Sequence, residues 1–466
     1  MRKGMKYSST RGAVKGIGFK EAVMMGLAED GGLLVPDEFP QVHDRLQEWK
    51  SLPFQQLCLE IMELFVGQAL NRDALEGLIN KSFASFRHPL ITPVKKLKNY
   101  SVLELFHGPT FAFKDVALQF LGNLFEHFLT EDGQTLNVLG ATSGDTGSAA
   151  IHGLRGKKGV KVFMLHPRGR VSPIQERQMT TVLDPNIHNL AVEGSFDDAQ
   201  SIVKSLFNDP QLKRSRRLGA VNSINWARIM AQIVYYFHAW AQISRDHSEE
   251  VSFVVPTGNF GNVLAAHYAR KMGLPTANLV VASNKNDILH RFFSTGCYET
   301  NAVEKTWSPS MDIQISSNFE RYLFELNGSD SEKLSKMMEA FSSSGKMRVD
   351  NTVLEKAQKD FCSASVENTE TLETIREIWN RENYLVDPHT AVGIRAAEKN
   401  GLKAPFVCLA CAHPAKFGEA IQNALGEPPQ LPEELMQLES LPTRCEILEA
   451  CSETFKQHIE TVLDGS

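Results

Sequence analysis

Lys114 is the residue whose surroundings point most directly to covalent chemistry. It lies in the run His107-Gly108-Pro109-Thr110-Phe111-Ala112-Phe113-Lys114-Asp115, among two phenylalanines, an alanine and a glycine-proline turn. A solvated lysine titrates near ~10.4, but an apolar pocket disfavours the ammonium and can lower that value by several units, leaving an amine that attacks carbonyl carbon. The alternative is a lysine that lays its stem along the surface at a helix start and keeps its charge in water. Two glycine turns bear on the choice. Gly140-Ala141-Thr142-Ser143-Gly144-Asp145-Thr146-Gly147 precedes a helix expected from Ser148. Its N–H groups and hydroxyls either converge on a small anion such as a carboxylate or simply cap that helix. Pro256-Thr257-Gly258-Asn259-Phe260-Gly261-Asn262, before a helix expected from Val263, suits a phosphate dianion held by backbone N–H groups without any lysine. It lacks the Gly-Lys-Ser/Thr ending of a nucleotide P-loop and the full Gly-x-Gly-x-x-Gly spacing, so it argues against a nucleotide. Arg168 and Arg170 either hold a phosphate or face water. Asn225 and Arg228, three apart at the head of a long apolar helix reaching roughly to Ala241, either face one ligand or, for Asn225, cap the helix.

The elements that must position these groups follow from hydrophobic patterning. Short apolar runs at 102–106, 136–139, 160–165, 187–192, 251–255, 279–282 and 406–409 alternate with amphipathic stretches such as 116–128 and 196–207. That alternation predicts a doubly wound α/β fold, with open parallel sheets covered by helices and ligands at strand-to-helix junctions. Lys114, both glycine turns and Ala410-Cys411-Ala412-His413-Pro414-Ala415-Lys416-Phe417 all fall at such junctions. Helical spacing at 54–65 and 74–86 predicts a mainly helical first domain. At 466 residues the chain suggests about three units at roughly 150 residues each. A net charge of −6 with 42% hydrophobic and 22% charged residues argues against nucleic-acid binding and against disorder. The basic start from Met1 to Tyr7 leads into no apolar run of signal length, and no eighteen consecutive residues are apolar, which predicts a cytoplasmic protein with no membrane partner. Seven cysteines match neither a disulfide framework nor a zinc site, so reduced thiols and no bound metal are expected.

Taken in order, these stretches resemble threonine synthase, a family of the fold-type II pyridoxal-phosphate enzymes that tryptophan synthase β exemplifies. The likeness runs through residues 9–12, 30–32, 107–115, 141–147, 222–228, 256–261, 302–321 with Ser310-Met311-Asp312, 388–392 and 413–417, nearly the whole chain. It implies an N-terminal domain at 1–95, a large cofactor-binding domain at 96–135 and 212–466, and a small mobile substrate-binding domain at 136–211. It further implies that Lys114 holds pyridoxal 5'-phosphate covalently and then shuttles protons among the substrate's Cα, Cβ and Cγ. Gly258, Asn259, Phe260 and Gly261 would bind the cofactor phosphate, with Asn262 and Cys411 also in contact with the cofactor. Thr142, Ser143, Gly144, Asp145 and Thr146 would clamp the substrate carboxylate, and Arg168, Asn225 and Arg228 would take the leaving phosphate. The implied reaction turns O-phospho-L-homoserine and water into L-threonine and phosphate, in a monomer or homodimer with no nucleic-acid partner. Two positions depart from the family pattern: Cys411 stands where Thr usually hydrogen-bonds the pyridine nitrogen, and Asn262 where Asp is common. The rival readings are a threonine-synthase-like phospho-lyase giving 2-oxobutyrate, ammonia and phosphate, and a non-catalytic cofactor- or metabolite-binding protein. Intact Phe260 and His413-Pro414 favour the synthase.

Overall fold

The computed structural model describes residues 4–465; Met1, Arg2 and Lys3 of the basic start, and Ser466, lie outside the described residues. The chain divides into two compact units. One comprises the residues up to 80 with Phe86–His107 and Ser223–Pro429, the other Lys81–Ser85, Gly108–Asn222 and the residues from 430 onward. Among the described residues no helix is long and apolar enough to cross a membrane, and no group of three or more His, Cys, Asp and Glu side chains is arranged to hold a metal. Among the described residues the seven cysteines form no disulfide.

The first unit is built on a six-stranded sheet in the order Cys362–Ser365, Thr276–Ser283, Val251–Pro256, Phe406–Ala410, Ser101–Glu104, Val94–Lys96. The first five strands are parallel and the last is antiparallel. Val251–Pro256, an interior strand, is buried along its whole length, as expected of a strand covered on both faces. Helix Trp226–Ile243 is buried from Trp226 to Trp240, which marks it as a core helix rather than a surface one. Helix Phe54–Val66 packs on it, with Phe54 against His238 and Phe65 against Trp226, and buries Phe54, Leu57, Cys58, Ile61, Met62 and Phe65, a spacing of three and four that makes one apolar stripe.

The second unit carries a five-stranded parallel sheet in the order Glu446–Glu449, Ile187–Glu193, Val160–Pro167, Leu136–Ala141, Leu218–Gly219. Its core joins Leu139, Phe163, Leu165, Leu190 and Val192 to Ala199, Ile202 and Leu206 of helix Phe196–Phe207 and to Phe455 and Ile459 of helix Ser452–Asp464. Two helices begin earlier than their hydrophobic patterns suggest, at Asp145 rather than Ser148 and at Gly261 rather than Val263. In both, the polar turn residues themselves form the first helical turn, so the onset of apolar periodicity lags the onset of helical geometry.

Candidate active site

Lys114 is the first residue of helix Lys114–Asp132 and is only 8% exposed. The loop before it is wrapped around Asp115. That carboxylate accepts the Thr110 N–H at 2.8 Å and the Thr110 hydroxyl at 2.7 Å, and Gly108 passes so close that a Cβ there would lie 2.4 Å from Asp115 Cβ. Phe111 adopts a left-handed backbone at φ 59°, uncommon for a side chain of that size, and its N–H donates to Gly108 O. The strained loop thereby delivers Lys114 at a fixed place. Its Nζ lies 3.4 Å from Asp145 Oδ2 and 5.3 Å from the centre of the Phe113 ring. The lysine environment is therefore apolar on one side, as its sequence neighbours suggest, and carboxylate-paired on another, which they do not reveal.

Asp145 opens helix Asp145–Leu154, and its second oxygen accepts from Gln175 Nε2 at 2.7 Å. The turn ahead of it closes on Thr142, whose hydroxyl accepts the N–H groups of Gly144 at 3.0 Å and Gly147 at 2.9 Å. Gly144 sits at φ 147°, and a Cβ there would meet Gln175 Oε1 at 2.3 Å. Thr142 is thus buried as the turn's internal cap, whereas Ser143 is exposed and Thr146 half-buried, with hydroxyls that the turn does not use. Gln175 was not singled out from the sequence; its signal was its place behind the Ser172-Pro173 helix start, where Ser172 Oγ accepts its N–H at 3.4 Å.

In the other unit the second glycine turn follows strand Val251–Pro256 directly. Phe260 caps helix Gly261–Lys271 in a left-handed conformation, φ 62°, held by a ring packed against Phe293, Phe319, Tyr322 and Phe361. The turn's carbonyls are engaged: Ser316 Oγ donates to Gly258 O at 2.7 Å, and Asn318 donates to Asn259 O at 3.1 Å. Among the described residues, the N–H groups of 258–261 have no acceptor. Asn262 Oδ1 accepts from both Tyr235, at 2.5 Å, and Tyr236, at 2.7 Å. Burial pushes both phenols well above their usual range and keeps them protonated donors. Asn262 Nδ2 is buried without a partner. Cys411, buried at the end of strand Phe406–Ala410, offers its thiol to Leu409 O at 3.8 Å, a weak interaction. His413 Nδ1 accepts the Ala415 N–H at 3.2 Å, and burial lowers its pKa to about 4, so the ring is neutral at pH 7.

The three residues expected to share the leaving phosphate differ in availability. Arg168 is exposed and paired with Glu193 at 2.7 Å. Asn225 caps helix Trp226–Ile243 by accepting the Ala227 N–H at 3.0 Å, and its Nδ2 donates to Val23 O at 2.9 Å. Arg228 stands apart. It is 3% exposed, and its Nε and Nη1 have no partner. Burial lowers its pKa to about 10, against a favourable influence of Tyr235, so it stays a cation at neutral pH.

A buried lysine at a helix start in the second unit and, in the first, an amide-lined turn after a parallel strand are features of a pyridoxal-phosphate enzyme of fold type II, and the family model described as pyridoxal-phosphate dependent enzyme matches residues 87–350. Models of the threonine synthase N terminus and of the threonine synthase C-terminal region match residues 6–83 and 390–459. The chain is 49% identical over 459 residues to the threonine synthase of Schizosaccharomyces pombe, covering 90% of this chain and 89% of that one. To the Pseudomonas aeruginosa threonine synthase it is 47% identical, covering 95% and 96%. The crystal structure of a threonine synthase from Brucella melitensis with pyridoxal phosphate bound superposes with a TM-score of 0.96 at 41% identity, covering 98% of this chain and 99% of that one. The chain belongs to the threonine synthase family.

Proposed function

We propose that the chain converts O-phospho-L-homoserine and water into L-threonine and phosphate, as a carbon–oxygen lyase acting on phosphates, and that it works in the cytoplasm. The residues suit pyridoxal phosphate: a buried amine for its aldehyde, and a turn whose free N–H groups stand ready for a phosphate dianion. When bound, the cofactor supplies an electron sink for charge developing at the substrate's Cα and Cβ. Lys114 Nζ is the attachment point and, once released, the proton carrier, with Asp145 and Gln175 fixing its position. The N–H groups of 258–261 hold the cofactor phosphate, and Asn262 Nδ2 and Cys411 contact the cofactor. The 142–146 turn takes the substrate carboxylate, with the Ser143 and Thr146 hydroxyls as its free donors.

The observation that carries the phosphate-substrate reading is Arg228. A cation buried without a counter-charge costs several kcal/mol, so a guanidinium with two unpartnered nitrogens is built to receive an anion. With Arg168 on the surface beside Glu193 and Asn225 engaged as a cap, Arg228 carries the leaving phosphate. Retained phosphate orients the water that must reach Cβ before the amino acid escapes. Wild type given O-phospho-L-homoserine should form threonine and phosphate in equal amounts with little 2-oxobutyrate, and Arg228→Ala should raise the 2-oxobutyrate share as turnover falls. Wild type yielding chiefly 2-oxobutyrate would replace this reading with a phospho-lyase; an unchanged partition in the variant would remove Arg228 from its role.

A further inference from the structure

Two peptide groups of the turn that lies over helix Gly261–Lys271 are fixed from behind. A trans peptide is planar, with its C=O and N–H pointing to opposite sides. Tying the carbonyl of Gly258 therefore sets the direction of the Asn259 N–H, and tying the carbonyl of Asn259 sets that of Phe260. Ser316 Oγ takes the first carbonyl at 2.7 Å. Asn318 takes the second twice, through its backbone N–H and its Nδ2, both at 3.1 Å.

Asn318 is itself held. Its Oδ1 accepts from Arg321 Nη1 at 2.5 Å, and Nδ2 also donates to Ser223 O at 3.2 Å. Arg321 is fully buried and donates to oxygens of neutral groups: to Leu34 O from Nε and Nη2 at 3.1 and 2.8 Å, to Ile224 O at 2.6 Å, and to Asn318 Oδ1. Leu34 opens the strand Leu34–Pro36 that follows Asp30-Gly31-Gly32, and Glu320, next to Arg321 in sequence, takes the Thr10 hydroxyl and a bidentate contact from Arg11. The N-terminal motifs at 9–12 and 30–32, and the 302–321 segment, thus meet at the back of the turn.

We infer that Ser316, Asn318 and Arg321 are positioning residues that hold the carbonyls of Gly258 and Asn259 away from the ligand, keeping the turn's N–H groups aligned on the cofactor phosphate. The inference rests on the assignment of that phosphate to the 258–261 turn. It gives the N-terminal segment a role in cofactor affinity, exercised through Arg321.

The test uses the full-length chain, stripped of cofactor and reconstituted with pyridoxal phosphate or with pyridoxal, which lacks the phosphate. Dissociation constants are read from visible absorbance. Ser316→Ala and Asn318→Asp should each weaken pyridoxal phosphate by about tenfold, the equivalent of one hydrogen bond left unmade. Affinity for pyridoxal and the melting temperature should stay at wild-type values. Loss of both ligands in parallel would show a merely structural role and overturn the inference, as would variants that keep the wild-type preference. Wild type that binds pyridoxal as tightly as its phosphate would instead remove the phosphate from the turn, and the inference with it. Ser316→Ala deletes a single atom, so it keeps the question open to measurement even where Asn318→Asp fails to fold.

Discussion

Lys114 combines two demands on one nitrogen, attachment of the cofactor and carriage of protons, and a substitution removes both at once. Lys114→Ala should therefore abolish turnover rather than reduce it. The purified wild type should be yellow, and borohydride reduction followed by peptide mapping should fix the cofactor at residue 114; label on another lysine would refute the assignment. What the sequence could say about this residue was its apolar neighbourhood. It could not say that Asp145 stands 3.4 Å from the amine, because the pair spans 31 positions and local spacing carries no trace of it. The same limit hid Ser316 and Asn318, ordinary polar residues whose partners lie 58 and 59 positions away. Arg228 was legible as a candidate through its place at a helix head, while its isolation needed three dimensions. Asn262, a departure from the family's usual Asp, keeps the oxygen that accepts two tyrosine hydroxyls and replaces a second carboxylate oxygen with a donor.

Helices carry these residues, and one crossing sets the distance between two of them. Helix Lys114–Asp132 and helix Asp145–Leu154 begin at the lysine and at its carboxylate partner. They touch at Gly122 and Gly153, where a Cβ on the first would lie 1.9 Å from Gly153 O and a Cβ on the second 2.5 Å from Leu118 O. Backbone meets backbone there, so no side-chain rotation relieves an added methyl. Gly122→Ala should destabilise the protein by about 1–3 kcal/mol despite alanine's better helix propensity. It should also lower turnover by parting the two helix starts. Urea unfolding measures the first effect and steady-state kinetics the second; unaltered stability would mean the helices separate at no cost. The helix of Lys114 was readable from Val116, Phe120, Leu121, Leu124, Phe125 and Phe128, all of which are buried. Strand Glu446–Glu449 was not: its four residues are largely exposed, and only pairing with Ile187–Glu193 defines it. Cys362–Ser365, an edge strand of small residues, escaped for a different reason: it is half-buried to buried, but Cys-Ser-Ala-Ser carries no apolar run.

At the scale of the whole molecule, burial of neutral histidines links folding to pH. His238 in the first unit, accepting from or donating to Thr92 Oγ1 at 2.8 Å and standing edge-on to Phe54, is 4% exposed. His166 in the second unit is fully buried on strand Val160–Pro167, with Nδ1 unpartnered. Burial lowers each from 6.5 to about 4. The unfolded chain therefore binds these protons first as pH falls. Their contribution is fully present above pH 6.5 and is lost progressively between 6.5 and 4, with a limiting slope of about 1.4 kcal/mol per pH unit for each histidine. Carboxylates of low pKa act in the same direction but lower down: Glu325, where burial pushes upward but His267 and Lys271 outweigh it, is held below the ordinary carboxylate value of 4.5 and begins to matter only as pH approaches that value. The interval from 6.5 to 4.5 thus isolates the histidines. Urea midpoints should fall across it in wild type, and His238→Gln, which cannot take up a proton, should flatten that fall while leaving the decline below pH 4.5 in place. A wild-type midpoint that holds constant from pH 6.5 to 4.5 would show that the buried imidazoles accept protons without loss of the fold.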